Sequence, residues 1–238
     1  MSSLVALTTT QAFATGPYES RSTGFDVGWP NCGGPYPNGS YVIAGISHGR
    51  PFDVDNGTPN PCLAAEYGLS PHHALYLNTG YDPVYYSEHA SSTCIQESEA
   101  LTVDTAHQQA WAVGCSWAES QQGYSQSLGL ASPDAWWLDV ETANSWSTAD
   151  LTLNAEALQG GVDRLKELTG GIPVGVYSTG QQWSAIVGNH AVAGVAADWV
   201  ATGASTQRRA TNFCSRSFTG EPVWLVQWVT SVDRDYAC

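Results

Sequence analysis

The strongest constraint on this chain is the order of its short apolar runs. Eight of them recur, at residues 24–29, 41–47, 74–78, 135–141, 172–177, 198–201, 223–229 and 232–236. The second, Tyr41 to Ser47, is nearly continuous in apolar residues, as expected of a strand covered on both faces. Helical segments stand between several of these runs. Between residues 96 and 124, Val103, Ala106, Ala110, Val113 and Trp117 recur at three- and four-residue spacing, and Gly114 weakens the helix without ending it. Leu151, Ala155, Leu158, Val162, Leu165 and Leu168 trace a second helical face, opened by Ser147-x-x-Asp150 and stopped at Gly170-Gly171. Shorter helices are expected at 62–67, 181–187 and 206–213. Residues 48–62 and 79–96 read as long loops, the second carrying Tyr81, Tyr85 and Tyr86.

Strands alternating with helices form parallel βαβ units. Eight strands suit a closed barrel better than an open sheet, and no G-x-G-x-x-G or P-loop follows the first run. The predicted fold class is therefore α/β, an irregular (β/α)8-type TIM barrel with some helices shortened or missing. With no linker and no internal repeat, residues 21–238 read as one barrel domain.

In such barrels chemistry sits at the carboxyl ends of the strands, and Asp26, Asp139, Glu141 and Asp233 all fall at or near such ends. Asp139 and Glu141 close the run A-W-W-L-D-V-E, and their i, i+2 spacing projects both to one face of a strand. Close carboxylates raise each other's proton affinity, so one stays protonated near neutral pH. The expectation is that the charge of Asp139 keeps Glu141 protonated. The same pattern also describes a strand whose last residues escape to solvent, and D-x-E alone does not separate the two.

Composition narrows the partners. A net charge of −14 repels phosphate backbones and anionic membranes, so neither nucleic acid nor membrane docking is expected. Ten Trp and eleven Tyr supply flat platforms for sugars, or core. The cysteines at 32, 62, 94, 115, 214 and 238 show no metal spacing, so no metal or cofactor is expected. Their even number suits an oxidising compartment and three disulfides whose pairing stays open. His72-His73 reads as a solvent-facing pair, and His48 follows a strand end. Ser47 and Ser178 lack a G-x-S-x-G elbow, which argues against a serine hydrolase. Residues 1–20 read as a partial secretion leader and flexible N-terminus. Ser3 to Thr10 is mildly apolar and Ala12-Phe13-Ala14 offers a small-x-small cleavage site, but no basic residue precedes Arg21. No apolar run has the length of a membrane span. A secreted monomer without membrane insertion is expected.

Six motifs occur in a telling order: G-F-D-V-G-W at 24–29, W-L-D-V-E at 137–141, G-V-Y-S at 175–178, D-W-V-A at 198–201, V-Q-W at 226–228 and V-D-R-D at 232–235. Together they resemble the family 25 glycoside hydrolases, the Chalaropsis-type lysozymes, and especially their secreted actinobacterial glycoside-hydrolase-like relatives. The resemblance covers nearly everything after residue 23. It implies a modified barrel and cleavage of the β-1,4 bond after N-acetylmuramic acid in bacterial cell-wall glycan. By position, Glu141 is similar to the proton donor, Asp139 to the carboxylate assisting at the sugar ring, and Asp26 to the first-strand aspartate. Asp233 matches the aspartate near the last strand, with Asp235 competing for that place. Trp29, Tyr177, Gln227, Trp228 and Asp235 make up the expected substrate-binding set. One departure stands out: the family usually shows H-W-Q-G after the first strand, and this chain has W-P-N-C at 29–32. A non-catalytic glycan-binding or cell-envelope interaction protein on the same barrel is the alternative.

Overall fold

Each apolar run becomes one strand of a closed barrel in the computed structural model, which describes residues 16–130, 132–188 and 190–238. The strands are β1 (Thr23–Val27), β2 (Val42–Gly45), β3 (His73–Asn78), β4 (Trp136–Asp139), β5 (Val174–Ser178), β6 (Asp198–Ala204), β7 (Val223–Trp228) and β8 (Arg234–Ala237). They pair in sequence order, and β8 closes the ring on β1. The expected leader motifs, Ser3 to Thr10 and Ala12 to Ala14, lie outside the described residues.

Strands β1 to β7 are mutually parallel, as the βαβ alternation predicts. The eighth departs from it, running antiparallel to both β7 and β1. The link from Trp228 to Arg234 is too short for a crossover helix, so the chain can only turn back on itself.

The helices are α1 (Leu63–Tyr67), α2 (Pro83–His89), α3 (Ser92–Ser98), α4 (Thr105–Ser127), α5 (Leu151–Thr169), α6 (Gly180–Val187) and α7 (Gln207–Ala210), the last continued by a 3-10 turn at Thr211–Phe213. Between β1 and β2 there is only a 3-10 turn at Trp29–Asn31. Two expectations are corrected. The 79–96 loop contains α2 and most of α3, and the long helix starts at Thr105 rather than near residue 96. Side-chain caps decide these boundaries. Asp82 accepts from the Val84 amide, Ser91 from Cys94, and Asp104 from Ala106 and His107, and each ends one segment and starts the next.

Strand alternation separates two cores. Outward-facing Val42, Leu75, Trp136, Leu138 and Val176 pack under α4 and α5 through Val113, Trp117, Leu158 and Val162. Inward-facing Ile43, Ala74, Trp137, Trp199, Leu225 and Ala237 fill the barrel. The inner aromatics fit because glycines face them. A Cβ on Gly24 would lie 2.3 Å from the Tyr41 ring, on Gly45 2.1 Å from Tyr76, and on Gly175 2.2 Å from Trp137. Below this layer the Tyr18 hydroxyl accepts the indole N–H of Trp137 at 2.9 Å and closes the amino-terminal end. The carboxyl ends of the strands open on a polar cavity.

The α4–α5 crossing uses glycine too. A Cβ on Gly114 would lie 1.7 Å from the Ala157 carbonyl oxygen, and one on Gly160 2.1 Å from that of Trp111. Gly114 thus gives up helix propensity for close backbone approach. All six cysteines pair, as 32–62, 94–115 and 214–238. Closing loops of this length stabilises by about 3 kcal/mol each on the chain-entropy account. Among the described residues no helix is long and apolar enough to cross a membrane.

Two alanine substitutions test this packing in opposite directions. Gly45→Ala has no room beside Tyr76 and is expected to destabilise by about 1–3 kcal/mol. Gly123→Ala, exposed on α4 with nothing within 4 Å, is expected to stabilise by about 0.5–1 kcal/mol. Urea unfolding of both variants, with unchanged m-values, checks the signs.

Candidate active site

At the open end the inward-facing residues turn polar. They surround a cavity of about 170 Å³ lined by Asp26, Tyr76, Asp139, Glu141, Tyr177, Trp199, Gln227 and Asp233. The register puts Asn78, Asp139 and Tyr177 side by side on β3, β4 and β5, in one layer of the barrel.

Asp139 is the last residue of β4 and is 7% exposed. Its Oδ2 accepts from the Asn78 amide at 2.6 Å, and Asn78 is itself held by the Ser47 hydroxyl at 2.8 Å. The Thr79 hydroxyl and the Asn144 amide donate to the Asp139 carbonyl, fixing the strand end and the loop beyond it. Oδ1 is buried and makes no hydrogen bond among the described residues. Burial, reinforced by the charge of Glu141 and opposed by the Asn78 hydrogen bond, pushes this carboxyl well above the usual carboxylate range. A proton on Asp139 explains an otherwise costly bare oxygen.

Glu141 lies two residues past the strand, half-buried at the rim. The Gln182 amide of α6 donates to its Oε1 at 3.4 Å, and the Trp146 indole donates to its carbonyl at 2.8 Å. The spacing argument placed the retained proton on Glu141. In the unliganded structure burial acts on the deeper carboxyl, Asp139, and raises it.

On the opposite wall Tyr177 donates to Gln227 Oε1 at 2.9 Å, and Gln227 Nε2 donates to Asp26 Oδ2 at 2.9 Å. Burial raises Asp26 to about 7, against the Gln227 hydrogen bond and with help from the charge of Asp233. Asp233 is half-buried and accepts the Thr230 amide at 3.0 Å, and burial raises it as well. Of the two acids in V-D-R-D, Asp233 therefore faces the cavity. Asp235 is fully buried behind Asp26 and is absent from the lining.

Two expected binding residues stand elsewhere. Trp228 follows inward-facing Gln227 on β7, so alternation turns it outward, where it packs with Val200, Val226 and Ala210 at 8% exposure. It is core and not a groove wall. Trp29 lies past β1, 40% exposed, with its ring 3.6 Å from that of His48, and it does not line the cavity. His72 is solvent-facing as expected, whereas His73 is half-buried against Tyr67 at 3.7 Å.

Sequence reading missed Tyr76, Asn78 and Trp199. The signal for the first two was present: in H-A-L-Y-L-N they alternate with Leu75 and Leu77, so they face away from the leucines. Trp199 sat inside D-W-V-A, but without the barrel's closure its phase could not be tied to the cavity.

No family model matches the chain, and no curated protein matches it. Two solved structures of the modular autolysin LytC from Streptococcus pneumoniae do, one of them in complex with a synthetic peptidoglycan ligand. Each aligns over 90% of this chain with a TM-score of 0.53 and 14% sequence identity. The likeness is one of fold. The chain spans about half of LytC, 46% of its length.

Two measurements follow from this geometry. Trp228→Ala is expected to cost about 3–5 kcal/mol in denaturant unfolding, the range for deleting a buried aromatic; an unchanged midpoint would return Trp228 to the surface. Asp26 has a folded value of about 7 against an ordinary 3.8, so the unfolded chain releases its proton first as pH rises. Its contribution to stability is complete below about pH 4 and lost as pH rises through about 7. Melting temperatures measured from pH 4 to 8 are expected to fall less in Asp26→Asn than in the wild type.

Proposed function

We propose that this protein is a secreted glycoside hydrolase that cleaves β-1,4 bonds of bacterial cell-wall peptidoglycan by carboxylate acid–base catalysis. The observation that carries the reading is the Asp139/Glu141 pair: two carboxyls at one end of β4, facing one cavity from different depths. Glycoside hydrolysis requires a protonated acid at the leaving oxygen and a second carboxylate at the sugar ring or its attacking water. In the free protein Asp139 holds the proton. A glycan filling the cavity lies over both carboxyls and expels water from them. The proton then moves outward to Glu141, which passes it to the leaving oxygen, and Asp139 is left ionised beneath the developing positive charge. Asp26 and Asp233 supply acceptors on the opposite wall. The three disulfides fit an oxidising, extracellular setting, and the ligand-bound autolysin of similar fold supports a cell-wall glycan as partner.

A second reading, glycan binding without turnover, is favoured by the altered loop after β1. There Trp29 stands exposed on His48, and Cys32 ties the loop to Cys62 ahead of α1, forming a platform beside the cavity. Clearing of a peptidoglycan suspension separates the readings. Glu141→Gln keeps shape and hydrogen-bonding reach but carries no proton to donate, so its rate is expected to drop by about 10²–10⁴-fold with binding retained. Equal rates in both proteins would remove Glu141 from the chemistry, and no clearing by the wild type with binding intact would favour the second reading.

A further inference from the structure

Asp235 is a fully buried carboxyl that makes no ion pair among the described residues. It is 0% exposed, and the neighbouring Arg234 points away, donating to the carbonyls of Gly24 and Asn38. Its Oδ1 accepts the Trp199 indole N–H at 2.8 Å, while Oδ2 has no donor among the described residues. Asp26, two residues past Gly24 on β1, is its neighbour on the inner face of the barrel. A buried carboxylate oxygen without a donor, beside a second carboxylate, is costly unless one of the two carries a proton. The antiparallel course of β8 creates this contact by setting Asp235 opposite Gln227 on one side and Gly24 on the other.

We propose that Asp235 is a positioning residue, holding a proton that it donates to Asp26 and thereby fixing the direction of the Asp26–Gln227–Tyr177 hydrogen-bond chain. The proposal rests on the reading of the cavity as a glycan site. With Asp26 accepting from Asp235, it stays an acceptor for Gln227 Nε2. That commits the Gln227 oxygen to Tyr177, whose hydroxyl proton is spent on it. The Tyr177 oxygen then offers the cavity only lone pairs. This wall accepts hydrogen bonds, as suits sugar hydroxyls. The facing wall has the opposite character: the Tyr76 hydroxyl makes no hydrogen bond among the described residues, and Asp139 carries a proton. A sugar entering between them meets acceptors on one side and donors on the other, and is oriented by that difference.

The groups around Asp235 support a retained proton. Asp26 faces it from β1 and Asp233 from the turn before β8, while Tyr18 and Tyr41 lie below and Tyr177 above. All are acids, none supplies positive charge, and burial together with the charge of Asp26 holds Asp235 well above the usual carboxylate range.

Two substitutions and one spectroscopic measurement test this. Asp235→Asn keeps an N–H for Asp26 and an oxygen for Trp199, so it is expected to retain near wild-type turnover on peptidoglycan and to lose the alkaline fall in the pH profile that ionisation of the pair produces. Asp235→Ala leaves the chain unanchored and is expected to lower turnover by about 10²-fold, the scale of a misplaced active-site group. Carboxyl-carbon NMR of aspartate-labelled wild type, without substrate, is expected to find Asp235 protonated at neutral pH. Ionisation of Asp235 in the ordinary carboxylate range would overturn the proposal, as would Asn impairing turnover as much as Ala. If the alanine variant does not fold, the asparagine variant and the NMR titration still decide. If the wild type turns over no glycan, the functional reading fails while the titration still judges the shared proton.

Discussion

The interior of an eight-stranded barrel has room for side chains and little else, and everything at the open end depends on how this one is filled. Its lower and middle layers are aromatic. Tyr41, Tyr76 and Trp137 each lie against an inward glycine, Gly24, Gly45 and Gly175, whose missing Cβ provides the space. Tyr18 and Trp137 fill the amino-terminal side, and the polar residues at the carboxyl ends of the strands face the cavity. The aromatic filling is thus what makes the acids both buried and reachable.

Burial without cations governs the chemistry that follows. The chain has 22 acidic side chains against eight Lys and Arg. Where a basic side chain is buried outside the barrel, it is heavily paired: Arg164 joins Glu97, Glu119 and Glu167 and so ties α3, α4 and α5 together. Inside the barrel the carboxyls accept from amides and one indole among the described residues. Burial then favours their protonated forms. Burial holds Asp139 and Asp235 well above the usual carboxylate range and raises Asp26 to about 7. A site with ionised and protonated carboxyls side by side needs no added base, because its own geometry keeps their proton affinities apart.

Much of this was legible in the sequence. The alternation of apolar runs and helical stripes gives a closed barrel, and the ends of those runs give Asp26, Asp139, Glu141 and Asp233, all of which line the cavity. What escaped depended on contacts far apart in the chain. The reversal of β8 comes from a short link joined to ring closure, and it alone distinguishes Asp233, at the cavity, from Asp235, behind Asp26. Trp228 was misplaced because V-W-L-V-Q-W-V is apolar on both faces and gives no phase. The helices at 83–98 were lost beneath tyrosines that read as loop, although Asp82-Pro83 and Ser91 carried their caps. Depth itself, which raises the buried carboxyls, has no sequence signature.

The central claim is that this cavity breaks a glycosidic bond by adding water across it. Digesting purified peptidoglycan in water enriched in heavy oxygen, followed by mass spectrometry of the soluble fragments, tests that claim most directly. The account predicts new sugar reducing ends, each carrying one heavy oxygen atom from the solvent. Glycan strands left intact, or solvent oxygen found only in newly cut peptide carboxyls, would contradict it.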